Sequence, residues 1–302
     1  MTEKVKITFL GTASAIPTAT RNHTSIWLSY RDENIMVDCG EGTQRQLKMA
    51  GISANKITKL LISHWHGDHV LGIPGLLQTL AFNDYNKTLK IYGPPGTKKY
   101  MQEMLNVFVF FGKIKFEVYE INKPGVFFDN GDFMLESERL FHGTPCNAYN
   151  FVKKGVLRID KKKLKKFKIS EGPHLGSLKK GKDIIYNGKK FKAKDLTYNE
   201  DGKKISFVLD TSTQKNIPTF VKNADALIIE SNFGPDMEEK AKEYHHMTSK
   251  QAAEIGKKAQ VGRVFLTHIS QRYDNNPEHI LNEARKTFKK TYLAKDLEVV
   301  EI

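Results

Sequence analysis

Residues 64–69 read His64-Trp65-His66-Gly67-Asp68-His69, directly after the apolar run Leu60-Leu61-Ile62-Ser63 and before the Gly/Pro-rich Gly72-Ile73-Pro74-Gly75. The apolar run predicts a buried strand over 59–63, so the six residues fall on the loop at that strand's carboxyl end. A lone histidine is usually a structural residue. Three histidines and an aspartate within six positions are a poor way to fill a core and a good way to hold a metal. Neutral imidazole and carboxylate together suit zinc best, manganese or iron less well. One short loop cannot complete such a site, so further donors must come from elsewhere in the chain.

Working outward, the chain alternates strand-like and helix-like segments. Strands are expected over 5–10, 25–30, 35–38, 89–92, 116–121, 133–141, 149–153, 205–209, 226–230 and 263–267. Helices are expected over 43–50, 75–82, 97–108, 217–223, 248–259 and 277–289. Three candidate donors stand where a predicted strand gives way to a loop: His142 before Gly143-Thr144-Pro145, Asp210 after 205–209, and His268 after 263–267. That is where an α/β scaffold presents functional side chains. His23, His174, His245, His246 and His279 complete the histidines.

The whole chain has 302 residues, 39% of them hydrophobic and 27% charged, an ordinary composition for one large domain or two small ones. Collagen-like, fibrous and wholly disordered classes are excluded. No apolar run approaches the ~20 residues that span a bilayer, and the charged start MTEKVKITFLG is unlike a secretory signal. Only Cys39 and Cys146 are present, which makes no disulfide framework and fits a reducing cytoplasm. The net charge of +14 is concentrated. Residues 153–204 carry 18 Lys and Arg against 6 Asp and Glu, and the rest carries 30 against 28. Such a segment is either a solvated surface insertion or a phosphate-binding element that gains by counterion release. Its glycines and sparse apolar periodicity over 154–198 predict an inserted arm rather than a second cored domain.

The HxHxDH loop, with later His, Asp and His at strand ends, resembles the metallo-β-lactamase superfamily, whose fold is a four-layer αββα sandwich. More narrowly, Val37-Asp38-Cys39-Gly40-Glu41-Gly42-Thr43-Gln44 and the basic segment with Gly172-Pro173 resemble the tRNase Z family, which removes 3′ trailers from precursor tRNA. The resemblance runs from Phe9-Leu10-Gly11-Thr12 to His268. It implies one domain over 1–302 with a basic arm inserted at about 154–198, and two zinc ions per subunit, manganese being the second choice. His64, His66 and His142 would hold the first; Asp68, His69 and His268 the second; Asp210 would bridge them. Two cations ~4 Å apart suit an in-line phosphoryl displacement. Asp68 is suited to orient the attacking water and take its proton. Asp38 would fix a ligand imidazole through its ring N–H, the alternative being a turn-capping carboxylate.

The family's His-x-Thr loop matches His246-Met247-Thr248, which makes His246 the candidate general acid and Glu230 the carboxylate that orients it. The bland alternative is that Thr248 caps the following helix and His246 is a surface neighbour. Residues 17–22, Pro17-Thr18-Ala19-Thr20-Arg21-Asn22, resemble the family loop near the scissile bond; Arg21 is kept, and Ala19 stands where the family has lysine. In the arm, Lys161, Lys162, Lys163, Lys165 and Lys166, with Lys179 and Lys180, are the expected phosphate contacts. These provide affinity and position rather than base readout. The resemblance also implies a homodimer. Two other readings share features of this sequence: a hydrolase of small phosphodiesters or related esters on the same fold, and a non-catalytic RNA-binding protein.

Overall fold

Ala226–Glu230 is buried at every position, with Ala226 and Ile228 in one apolar cluster and Leu227 and Ile229 in another. Strand side chains alternate between faces, so a continuous apolar run marks a strand covered on both. The computed structural model, which describes residues 4–110 and 114–302, supplies that cover for two seven-stranded sheets.

The first sheet contains β1 (Lys6–Gly11), β2 (Ser25–Tyr30), β3 (Glu33–Val37), β4 (Lys59–Leu61), β5 (Thr88–Gly93) and β6 (Lys115–Glu120). The second begins with β7 (Gly125–Asp129), β8 (Phe133–Phe141) and β9 (Pro145–Lys153). The chain then enters the basic segment through β10 (Val156–Ile159), β11 (Ile184–Tyr186), β12 (Lys189–Phe191) and β13 (Thr197–Glu200). It returns through β14 (Lys203–Val208), β15 (Ala226–Glu230), β16 (Val264–Thr267) and β17 (Thr291–Leu293), and ends in β18 (Val299–Glu301). The sheet orders are β18-β1-β2-β3-β4-β5-β6 and β17-β16-β15-β14-β9-β8-β7.

Three apolar layers make the expected four-layer sandwich. Phe9, Leu28, Val37, Phe151, Phe207 and Ile228 join the inner faces of the two sheets. Helices Thr43–Met49, Ile73–Phe82 and Thr97–Val107 cover the outer face of the first, packing Leu47, Leu76 and Met101 against Trp27, Met36 and Ile91. Helices Ile217–Phe220, Ser249–Lys258 and Pro277–Thr287 cover the second through Ile217, Ala253 and Ile280. Fully burying an inner-layer side chain such as Phe207 contributes about 1.5–3 kcal/mol.

Strands β3 to β6 run parallel, as do β14 to β17, which gathers their carboxyl ends along one edge. Two elements differ from expectation. The strand expected over 149–153 begins at Pro145, because Pro145 and Asn147 look loop-like although Asn147 is buried; within the strand, buried Asn150 donates its Nδ2 to Glu136 and to the Phe220 carbonyl. The basic segment, expected to lack a core, has a small one of its own. Leu164, Ile169, Leu178, Ile184, Ala193 and Leu196 are buried together, between the β10–β13 and β11–β12 ribbons and short helices such as Lys161–Lys166.

Candidate metal and proton-transfer site

Close backbone packing places the HxHxDH loop. The Cys39 N–H donates to the His69 carbonyl at 2.8 Å, and the Gly72 N–H to the Cys39 carbonyl at 2.9 Å. A Cβ on Gly40 would lie 2.4 Å from the Asp68 carbonyl oxygen, and one on Gly72 2.0 Å from that of Gly40. Glycine is required at both crossings. Residues 67–70 close this loop with one helical turn that the sequence did not announce.

The six-residue loop meets the other strand ends in two groups of donor atoms, each within 4.8 Å of its fellows. One is His64, His66, His142 and Asp210; the other is Asp68, His69, Asp210 and His268. Asp210 belongs to both. Its Oδ2 lies 3.7 Å from His64 Nε2, 3.7 Å from His142 Nε2 and 3.2 Å from His69 Nε2, and its Oδ1 lies 3.0 Å from His268 Nε2. Asp68 Oδ2 is 3.3 Å from His69 Nε2 and 3.2 Å from His268 Nε2.

Hydrogen bonds on the outer side of three rings, those of His64, His69 and His142, leave their Nε2 atoms facing inward; His268 Nδ1 is buried without such a partner. His69 Nδ1 donates to Asp38 Oδ2 at 2.7 Å, and His64 Nδ1 pairs with Ser63 Oγ at 3.0 Å. Ser63 in turn donates its backbone N–H and its hydroxyl to Asp38, both at 2.7 Å. His142 Nδ1 donates to the His245 carbonyl at 2.8 Å. Asp38 therefore anchors an imidazole instead of merely capping a turn. Sequence reasoning missed Ser63 and His245, the latter because its contribution is a backbone carbonyl.

The donor set fits divalent cations. His64 Nε2 is buried without a hydrogen-bond partner, and burial and neighbouring imidazoles push its pKa well down, which keeps its lone pair free. Burial likewise lowers His142. Burial also opposes charge on His69 and His268, but Asp210 and its neighbouring carboxylates overcome it. His69 is raised well above the ordinary histidine value and His268 to about 9. Asp38 and Asp210 are almost wholly buried, and ionised carboxylates in such a place need positive charge beside them.

A third group joins Glu230, His246 and His268. His246 Nδ1 donates to Glu230 Oε1 at 3.1 Å, and the backbone N–H groups of Thr211 and Met247 also donate to Glu230. Burial would lower His246, but Glu230 outweighs it and raises its pKa. Thr248 does cap helix Ser249–Lys258, in a reciprocal bond pattern with Gln251. The His246 side chain is nevertheless only 12% exposed, its ring 4.6 Å from that of His142. A helix cap and a buried imidazole thus stand two residues apart, so His246 is not a mere surface neighbour.

Other expected residues lie apart. Arg21 is the substrate contact expected in the 17–22 loop. It is buried, and its guanidinium donates to Thr12 Oγ1 and the Ala294 carbonyl, tying the 17–22 loop to the sandwich. Thr18 and Thr20 donate to Asp274 from the same loop. Lys161, Lys162, Lys165, Lys166, Lys179 and Lys180 are exposed and Lys163 half-buried, around a pocket lined by Arg158, Lys161, Gly172, Pro173 and Lys179. His174 packs against Gly172 and bonds the Ser170 carbonyl, and it belongs to none of the donor groups found among the described residues.

A family model described as anti-Pycsar protein Apyc1 matches residues 5–108. Ribonuclease Z of Methanococcus aeolicus is 39% identical over 291 residues, covering 94% of this chain and 90% of that protein. Ribonuclease Z of Bacillus cereus is 36% identical, covering 97% and 98%. The crystal structure of human tRNase Z, short form, superposes with a TM-score of 0.72 at 26% identity, covering 98% of both chains. The metallo-β-lactamase fold protein YhfI of Bacillus subtilis gives the same TM-score at 22% identity, covering 99% of this chain and 100% of that one, a likeness of fold alone. Sandwich and His/Asp cluster together define a metallo-β-lactamase-fold hydrolase with a site compatible with metal. Within that class, the chain belongs to the ribonuclease Z family.

Proposed function

We propose that this chain is a two-zinc endoribonuclease that cuts the 3′ trailer from precursor tRNA, leaving a tRNA 3′-hydroxyl and a trailer 5′-phosphate. Membership of the ribonuclease Z family supports the reaction class and substrate. The observation that carries the mechanism is Asp210, shared between two donor groups, with the His246–Glu230 pair alongside. In this reading His64, His66 and His142 would hold one cation and Asp68, His69 and His268 the other, with Asp210 available to both. When bound, the cations supply Lewis acidity that neutralises phosphate charge and makes water acidic near neutral pH.

The chain's own groups do the rest. Asp68, the more solvent-facing carboxylate of the cluster, orients the attacking water and takes its proton. Asp38 and Ser63 hold His69 and His64 in the tautomers that point Nε2 inward. As the bond from phosphorus to the 3′-oxygen breaks, His246 donates a proton to that oxygen. Glu230 keeps the ring protonated until then. The lysines of the arm grip the tRNA by its phosphates, away from the cut. A homodimer, in which one subunit's arm serves the other's site, and a cytoplasmic location complete the reading. Free, buried Cys39 and Cys146 fit such a compartment, and no helix among the described residues is long and apolar enough to cross a membrane.

The test is incubation of the zinc-loaded chain with a precursor tRNA carrying a 3′ trailer, both new ends being mapped, with Asp68→Ala as control. One cut near the end of the acceptor stem, abolished in the control, is expected. An intact precursor after incubation with folded, metal-replete protein would refute the reading.

A further inference from the structure

Strand β8 turns Phe133, Leu135 and Ser137 into the sandwich; the alternation lapses at exposed Arg139, and the strand ends with Leu140 buried and Phe141 exposed. Phe141 is 53% exposed. An isolated exposed apolar residue is ordinary; this one stands immediately before the donor His142. Its backbone is firmly held: it pairs with Pro145 on β9, and its carbonyl accepts from Thr211 Oγ1 at 3.1 Å and Gln214 Nε2 at 3.3 Å. Its ring meets that of His245 edge-to-face, centroids 5.3 Å apart. His245 has a left-handed backbone, φ +58°, and its carbonyl fixes His142. A rigid aromatic face is thus presented to solvent beside the donor cluster, with no partner on its outer side among the ring contacts described.

We propose that Phe141 is a stacking platform for the base of the last retained nucleotide, the one whose 3′-oxygen is the leaving group. This rests on the reading given above. The assignment to one side of the cut rests on this neighbourhood: Phe141 leans on His245, which precedes His246, the residue read above as serving the departing 3′-oxygen. We therefore assign the platform to the nucleotide bearing that oxygen. An aromatic face accepts any base, so Phe141 contributes position without selecting sequence, which suits a site that must process tRNAs ending in different bases.

The test is a two-by-two comparison on the zinc-loaded full chain. Wild type and Phe141→Ala are each given a precursor tRNA with a normal base, or an abasic residue, at the last retained position. Base stacking on an aromatic residue predicts that Phe141→Ala raises KM about ten-fold on the normal substrate, with kcat little changed. The abasic residue should raise the wild-type KM similarly, and the combination should cost no more than either alone. Phe141→Trp should restore the normal KM. Circular dichroism and zinc content, unchanged in both variants, separate lost stacking from lost structure. Independent, multiplying penalties, or none for Phe141→Ala, would overturn the stacking role while leaving the endonuclease intact. A wild-type chain that cuts no precursor would overturn the underlying function and this role with it.

Discussion

Asp38, Asp210 and His268 each adopt the left-handed backbone region, with φ of +56°, +45° and +56°, at the residue where a strand ends. For residues with a Cβ this costs of order 1 kcal/mol or more, and it persists where surrounding structure imposes it. Here it turns side chains from three strand ends toward one point. Asp38 acts through His69. Replacing it with Asn should weaken zinc binding about 10- to 100-fold, read by competition with a chelator; an unaltered affinity would reduce Asp38 to a loop-bonding residue. Glu230 acts through His246. Its carboxylate raises the imidazole pKa, so the protonated ring survives to higher pH than an ordinary histidine. Glu230→Gln removes that support and should shift the alkaline limb of kcat to lower pH. A limb that stays in place, measured on precursor tRNA, would assign that ionisation to another group.

At the scale of elements, the basic segment is the part where local reading and structure diverge most. Its sequence shows lysines and glycines, and the apolar residues that matter are spread thinly over short elements. Leu164 is the buried member of an otherwise lysine-dominated helix capped by Asp160, and Leu178 is fully buried one helix later. So small a core has little redundancy. Leu178→Ala should destabilise the arm by about 2–5 kcal/mol, and limited proteolysis should then nick residues 156–200 while the sandwich stays intact. Simultaneous unfolding of both would show them to be one cooperative unit. At the arm's root, the Glu200 carboxylate bonds Lys153 and Arg158, which hold its pKa below the usual range. That contribution is present above the ordinary glutamate pKa of 4.5 and is lost as pH falls through the lowered value.

At the scale of the whole molecule, the candidate site and the concentrated positive charge belong to different parts of the chain. The candidate donors and the His246–Glu230 pair belong to the sandwich, and most of the excess positive charge belongs to residues 153–204. The stems of the insertion meet at its base, where Gly155 and Gly202 approach closely. Excising the arm there and closing the gap with a short turn should preserve hydrolysis of a small phosphodiester and lower kcat/KM for precursor tRNA by about a hundred-fold or more. Raising salt from ~50 to ~200 mM should weaken tRNA binding steeply in the full chain and much less in the truncated one. Equal loss on both substrates would mean that the arm supports the site itself.

The linear sequence determined that this is a metal-binding α/β protein with one basic insertion. Two local properties decide that much: buried strands announce themselves as β-branched runs, and three histidines with an aspartate in one short loop have few other uses. Apolar periodicity also located the central strands and the longer helices. What remained for the tertiary structure were relations between distant residues. That Asp210 serves two donor groups, that Ser63 and the His245 carbonyl orient imidazoles, that Arg21 is turned inward and that the arm has a core of its own are all products of packing. None has a local signature, because each depends on which backbone segments cross. Glycine at Gly40 and Gly72 permits such a crossing, but only the folded chain reveals what passes there.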